Sequence, residues 1–296
     1  MVLTEGKTKI IREGEAPGEV ILETKDELTG GDAAKRETIQ GIAVFKTSQT
    51  LNVFRLLERH GIATSFIRAL DETSFVCHHC TMLPLELVIR RYAWGSFLKR
   101  EPLIESTREN PYRFEELRLE MYHKHAVVMP PLVARPQQLD EGEARRRHLR
   151  DGVWAEGVYT DPLIRVEDGR WALYSAKAPL AGAELLMETA PLLDESELKS
   201  LQDDIMRPTF RTIEDAWGAI ETNDGPVALV DMKIEVGYRQ SDGALVVADV
   251  IDNDAWRIWP GADPAKQLDK QCFREDHPLS EVAENYELVA ALTENF

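Results

Sequence analysis

The stretch that most constrains this chain is residues 230–260, VDMKIEVGYRQSDGALVVADVIDNDAWRIWP. Residues 227–236 alternate, which puts Asp231, Lys233 and Glu235 on one face of a strand and Met232, Ile234 and Val236 on the other. The return strand, expected over 244–251, is almost wholly apolar, so the sheet is expected to be buried. A buried strand carrying Asp, Lys and Glu must pair those charges or hold a metal ion. Asp249 on the return strand can approach Glu235. Two carboxylates meeting across strands, with Lys233 nearby, suit Mg²⁺ and a phosphate: hard oxygens for the ion, an ammonium for the phosphoryl oxygens. Asp252, Asp254 and Arg257 are expected on a loop at the strand's C-terminal end. Asp269, Lys270 and Arg274 then return more charge to the same area.

The formal charge is −17 over 296 residues, which argues against non-specific binding to nucleic acid or to anionic membranes. An anionic ligand would therefore need a local group of Lys and Arg, and two segments offer one. At 5–9, EGKTK places Gly6 where backbone could approach a ligand, with Lys7 and Lys9 alternating around Thr8. It lacks the P-loop pattern, and solvated lysines on an edge strand remain an alternative. At 90–100, RRYAWGSFLKR sets Arg90, Arg91, Lys99 and Arg100 around a Gly-Ser turn. A helix starting at Gly95-Ser96 would present N–H groups and the Ser96 hydroxyl to an anion, with Arg90 and Arg100 as bidentate partners. A solvated basic turn over Trp94 is the other reading.

Elsewhere the chain reads as ordinary scaffold. Strands are expected at 7–12 and 19–24 around a Gly14/Pro17/Gly18 turn, and at 63–67 and 74–78. A helix is expected from about 34 to 60, capped by Asp32 and closed by Gly61. Residues 194–221 read as helix, with an Asp194/Glu197 capping box and a kink at Pro208. A final helix is expected from about 280 to 293, and a hairpin turning at Asp168-Gly169. The cluster Cys77-His78-His79-Cys80 lacks a second Cys/His pair at zinc spacing, and neighbouring strand residues face opposite ways, so it reads as structural. Residues 101–151 are charged and carry little readable pattern. Three Cys make no disulfide framework, the N-terminus has no apolar signal core, and no window could span a bilayer. A cytoplasmic protein is the expectation, with a homo-oligomer left open.

Several blocks together resemble the SAICAR synthetase family: EGKTK at 5–9, LTGGDAAKR at 28–36, MLPLELVIRRYAWGSFLKR at 82–100, LVDMKIEVG at 229–237, ADVIDNDAWRIWP at 248–260 and DKQCFR at 269–274. The resemblance runs in family order along nearly the whole chain and is to the monofunctional form. It implies an α+β fold of two lobes: an antiparallel, kinase-like nucleotide-binding β lobe over 1–84 and a larger α/β lobe with a mainly antiparallel central sheet over 85–296, with the active site between. It implies a ligase that joins CAIR (5-amino-1-(5-phosphoribosyl)imidazole-4-carboxylate) to L-aspartate, using ATP and Mg²⁺ and passing through an acyl phosphate. Carried onto this chain, Gly6, Lys7 and Lys9 would cover the ATP phosphates, and the backbone around Met82 would meet the adenine. Glu235 and Asp249 would hold Mg²⁺, with Lys233 on the transferring phosphate. Arg90, Ser96 and Arg257 would bind CAIR, Asp161 would bind substrate, and Asp231 and Asp254 would line the catalytic centre. The family usually carries a Lys in a K-x-D-x-x-x-D-P segment; here WAEGVYT at 154–160 precedes Asp161-Pro162 and that Lys is missing. A paralogous ATP-dependent amide-forming ligase with another carboxylate or amine is the alternative.

Overall fold

The computed structural model describes residues 1–30, 35–176 and 184–296. Its antiparallel sheets and helices make it α+β, as the sequence resemblance implied. The compact units are not the expected 1–84 and 85–296: one comprises Met1–Met82 with Arg207–Phe296, and the other Leu83–Met206. The C-terminal ninety residues belong with the N-terminal strands because the helix Ile42–Arg59 packs on the helix Leu279–Thr293.

In the first unit, strands Val2–Glu5, Lys9–Glu13, Glu19–Thr24, Ser74–His78 and Phe66–Ala69 form one antiparallel sheet in that spatial order. Phe54 of helix Ile42–Arg59 packs on Phe66 and Phe75 of this sheet, with centroids 6.1 and 6.2 Å apart. That helix begins at Ile42 rather than near 34, because Lys35–Thr38 pairs as a strand with Glu27–Gly30. Its first amides are met by Asp26, which accepts from Gly41 N at 3.1 Å and Ala43 N at 3.0 Å. The expected cap, Asp32, lies outside the described residues. Gly61 closes the helix at φ 77°, a left-handed position that glycine adopts without strain.

The long strand Gly225–Arg239 organises the rest of this unit. Cys80–Met82, Leu245–Ala248 and Trp256–Pro260 pair with it antiparallel, with Gly237 opposite Met82, Glu235 opposite Ala248 and Asp231 opposite Arg257. The return strand is four residues long, not eight: Asp249 takes φ 67°, and that left-handed residue ends the extended run. Arg257, expected on a loop, stands on the next strand. Phe210, Ile213 and Trp217 of helix Arg207–Gly218 are fully buried.

In the second unit, strands Leu85–Tyr92, Arg113–His123, Leu163–Glu167, Arg170–Tyr174 and Leu185–Thr189 form an antiparallel sheet in that order. The Asp168-Gly169 turn forms where expected, with φ 50° and 75°, the left-handed pair of a tight hairpin. The capping box also forms: Asp194 accepts from Glu197 N at 2.8 Å, and Glu197 accepts from Asp194 N at 2.9 Å. The helix it starts, Glu195–Ser200, runs into a π-helical segment at Leu201–Met206. No helix among the described residues is long and apolar enough to cross a membrane.

Candidate functional site

Strand pairing within the first unit gathers most of the residues singled out in the sequence. Lys233 and Glu235 are half-buried on the long strand, while Met232, Ile234 and Val236 on its other face are buried. Glu235 faces Ala248, so Asp249 follows directly on its partner strand. The Asp249 carboxylate is ion-paired with the ammonium of Lys9 and accepts from Val250 N at 2.8 Å. Lys9 opens its strand, while Gly6 and Lys7 lie at the turn before it; the Gly6 amide donates to Lys9 O at 2.9 Å. Lys7 is thus on a turn, not alternating with Lys9 along a strand.

Met82 lies opposite Gly237, two residues beyond Glu235. Gly237 lets the strands approach closely there: a Cβ would lie 3.0 Å from both the Met82 Sδ and the Cys80 Cβ, tighter than ordinary contact. Met82 itself is 40% exposed, a sulfur-bearing apolar side chain presented at the surface of its unit.

Asp231 is 5% exposed and accepts from Arg257 Nη1 at 2.6 Å, so the cross-strand pair neutralises a charge the sequence left unexplained. Arg257 Nε is buried without a hydrogen-bond partner among the described residues. Behind it, Asp269 accepts from Ile258 N at 3.2 Å and Gln271 N at 2.8 Å. Burial pushes the Asp269 carboxyl up to about 6, against the pull of the Arg257 charge.

Asp254 is enclosed by Lys270, which the sequence placed in this area, and by Lys46 and Tyr286, which it did not. Its Oδ2 faces Lys46 Nζ at 3.3 Å and Lys270 Nζ at 3.0 Å, and its Oδ1 accepts from Tyr286 at 2.5 Å. Burial alone would raise this carboxyl, but the two ammonium charges hold it well below the usual carboxylate range. Its neighbour Asp252 is 1% exposed and shifts the other way, raised by burial and by the Asp254 charge. Lys46 and Tyr286 gave no signal in the sequence because a lysine and a tyrosine on amphipathic helices look like solvent-facing and core residues respectively.

The second unit holds Arg90, Ser96 and Asp161. Ser96 opens the short helix Ser96–Arg100, preceded by Gly95 at φ 63°, as the Gly-Ser pair predicted. Arg90 and Arg100 share one carboxylate: Arg90 Nε donates to Glu120 Oε2 at 2.5 Å, and Arg100 donates to Glu120 Oε1. Both guanidinium groups also lie over the Phe97 ring, at 5.6 and 5.9 Å from its centroid. Burial raises the Glu120 carboxyl, yet the paired arginines bring it below the ordinary value. Phe97 and Glu120 also border an open cleft of about 760 Å³. Its charged lining is mostly acidic: Glu101, Glu120, Asp168, Asp194 and Glu195 against Arg118 and Arg165. Asp161 takes φ 47° just before Pro162, whose carbonyl accepts from His123 N at 2.9 Å.

The donor set bears on a metal. Among the described residues there is no group of three His, Cys, Asp or Glu side chains placed to hold an ion. Glu235 and Asp249 offer two carboxylates, hard oxygen donors of the kind that suit Mg²⁺. Lys9 already places a cation on Asp249, so that carboxylate accepts positive charge where it stands.

A profile described as SAICAR synthetase matches residues 2–150 and 192–292. The phosphoribosylaminoimidazole-succinocarboxamide synthase of Chloroflexus aurantiacus (strain ATCC 29366) is 37% identical over 298 residues, spanning 99% of this chain and 95% of that one. Among solved structures, the synthase of the same description from Ehrlichia chaffeensis has a TM-score of 0.68 at 23% identity, covering 100% of this chain and 99% of its own. A SAICAR synthetase in complex with ADP has a TM-score of 0.65 at 23% identity, covering 98% of this chain and 96% of that one. At that identity the two structures bear on the fold.

Proposed function

Since the chain belongs to the SAICAR synthetase family, we propose that it joins CAIR to L-aspartate with the cleavage of ATP, giving SAICAR, ADP and phosphate. The observation that supports the reading is the strand pairing that sets Glu235 opposite Ala248, one residue before Asp249, whose carboxylate is ion-paired with Lys9. The CAIR carboxylate is a poor electrophile. Transfer of the ATP γ-phosphoryl group to it gives an acyl phosphate; the aspartate amine attacks that carbonyl, and phosphate leaves. Such chemistry needs charge neutralisation and alignment more than a nucleophilic side chain.

In this reading Gly6, Lys7 and Lys9 cover the ATP phosphates, and Met82 lies against the adenine. Lys233 holds the phosphoryl group in transit. Glu235 and Asp249 hold Mg²⁺, which when bound would neutralise charge on the phosphates. In the first unit Arg257, kept in place by Asp231, is assigned to CAIR; in the second unit Arg90 and Ser96 are assigned to an anionic substrate group. Asp161 contributes to substrate binding. The neighbour in complex with ADP supports the nucleotide assignment.

One observation favours keeping a second reading. The family match skips 151–191, the segment that contains Asp161 and lacks the expected Lys. If that segment selects the amine, another amino acid could replace aspartate. Purified protein with ATP, Mg²⁺ and CAIR, with and without L-aspartate, decides the matter by ADP release and product mass. Product at the mass of SAICAR only when aspartate is present is the expected result. Product only with a different amine, or none with any, overturns the reading.

A further inference from the structure

Helix Ile42–Arg59 turns an unusual face inward. Lys46, Thr47, Gln49 and Thr50 are each at most 2% exposed. A helix in a core ordinarily buries an apolar stripe, and a buried polar group without a partner costs roughly 1–3 kcal/mol. Here the partners of three of the four lie in one short segment. Gln49 Oε1 accepts from Asn253 N at 2.8 Å, the Thr50 hydroxyl donates to Ile251 O at 3.3 Å, and Lys46 meets Asp254 at 3.3 Å. Their i, i+3, i+4 spacing places them on one side of the helix. Thr47 instead meets the Thr24 hydroxyl at 2.8 Å.

Other elements hold the same segment. Tyr286 binds Asp254 through its hydroxyl, while its carbonyl accepts from Gln49 Nε2 at 2.9 Å. Lys270 reaches Asp254, and Asn253 is tied to Trp256 Nε1 at 2.9 Å and to Leu268 O at 3.0 Å. Residues 251–254 have no helix or strand hydrogen bonding of their own to fix them. Asp249 lies at one end of the segment and Arg257 at the other.

We infer that Lys46, Gln49, Thr50, Lys270 and Tyr286 are positioning residues, which hold 251–254 so that Asp249 and Arg257 keep their places, with Asp254 the anchor of that grip. The inference rests on the roles proposed above for Asp249 and Arg257. Asp254 has both oxygens engaged by protein donors, so it works as a fixed charge and not as a proton acceptor for substrate.

The test uses the full chain and near-isosteric changes. Thr50→Val and Tyr286→Phe each remove a hydroxyl, Thr50→Ser keeps it, and Val53→Ala weakens the same helix at a fully buried apolar position. ADP binding is measured by titration calorimetry with Mg²⁺ and with EDTA, beside thermal midpoint and kcat. Thr50→Val and Tyr286→Phe should lose about tenfold of the Mg²⁺-dependent gain in ADP affinity and about tenfold in kcat, with EDTA affinity unchanged. Thr50→Ser should restore both. Val53→Ala should lower the midpoint at least as far and leave the gain intact. The inference is overturned if the hydroxyl deletions keep the gain and kcat, or if Val53→Ala loses them equally. A wild-type protein that makes product but shows no Mg²⁺-dependent gain removes the Asp249 assignment, and this inference with it; absence of any product is the separate failure of the proposed reaction.

Discussion

The ammonium of Lys9 rests on the carboxylate of Asp249, tying the second strand of the chain to the end of the return strand. The two side chains are 20% and 23% exposed, so the pair is shielded but within reach of a ligand. In the proposed reaction Lys9 would turn to ATP phosphate oxygens, which would leave the Asp249 carboxylate to hold Mg²⁺ when bound. The contact then keeps two unlike charges matched until nucleotide arrives.

Lys9→Met should therefore weaken nucleotide more than the other substrates. A hydrogen bond to a charged group contributes about 1.5–3 kcal/mol, which corresponds to roughly ten- to a hundredfold in ATP KM. The KM for CAIR should change little. Steady-state kinetics with each substrate varied in turn checks this, and equal increases in both KM values would contradict it.

Glu120 is the shared partner of Arg90 and Arg100, with 9% of its side chain exposed. Glu120→Gln removes the carboxylate charge that the two buried guanidinium groups share. The expected loss of unfolding free energy is about 3 kcal/mol, read from urea titration. A loss below about 1 kcal/mol would show that the arginines find compensation elsewhere.

Gly237→Ala places a methyl group 3.0 Å from Met82 Sδ and Cys80 Cβ and 3.1 Å from Thr81 O. These neighbours must give by a few tenths of an ångström to admit it. A cost of about 1–3 kcal/mol is expected, together with a raised ATP KM, because Met82 is proposed to meet the adenine. Unchanged ATP KM with the stability loss would separate Met82 from the nucleotide.

His123 is 3% exposed, and its Nδ1 accepts from His125 N at 3.0 Å. Burial, reinforced by the neighbouring His125, lowers it from 6.5 to about 4. The folded state thus disfavours the proton that the unfolded chain accepts. The stability this contributes is present above pH 6.5 and is lost as pH falls toward 4. Asp269 acts oppositely: raised from 3.8 to about 6, its carboxyl stabilises the fold as pH falls through that range. The His123 effect is therefore read as a difference. Thermal midpoints of wild type and His123→Gln should converge between pH 6.5 and 4; a constant gap would contradict the assignment.

Features set by near neighbours were legible in the sequence. The capping box at Asp194 and Glu197, Gly61 after its helix, the Asp168-Gly169 turn and the alternation around Lys233 all depend on residues a few positions apart. Features set at long range were not. Asp26 caps a helix that begins sixteen residues later, so Asp32 looked like the natural choice. Residues 113–123 read as a charged run because Glu120 is neutralised by arginines from an earlier strand and the short helix after it. Lys46, Gln49 and Thr50 find their partners about two hundred positions away, and a helix's own periodicity cannot announce that.

The polar inner face of helix Ile42–Arg59 also limits how this protein can be improved. A redesign that put leucines at Lys46, Gln49 and Thr50 would leave the Asp254 charge, the Asn253 N–H and the Ile251 carbonyl short of partners, so the apolar gain on the helix would be offset in the segment it faces. Heat resistance and turnover draw on the same three positions, so a stabilising redesign has to leave them in place.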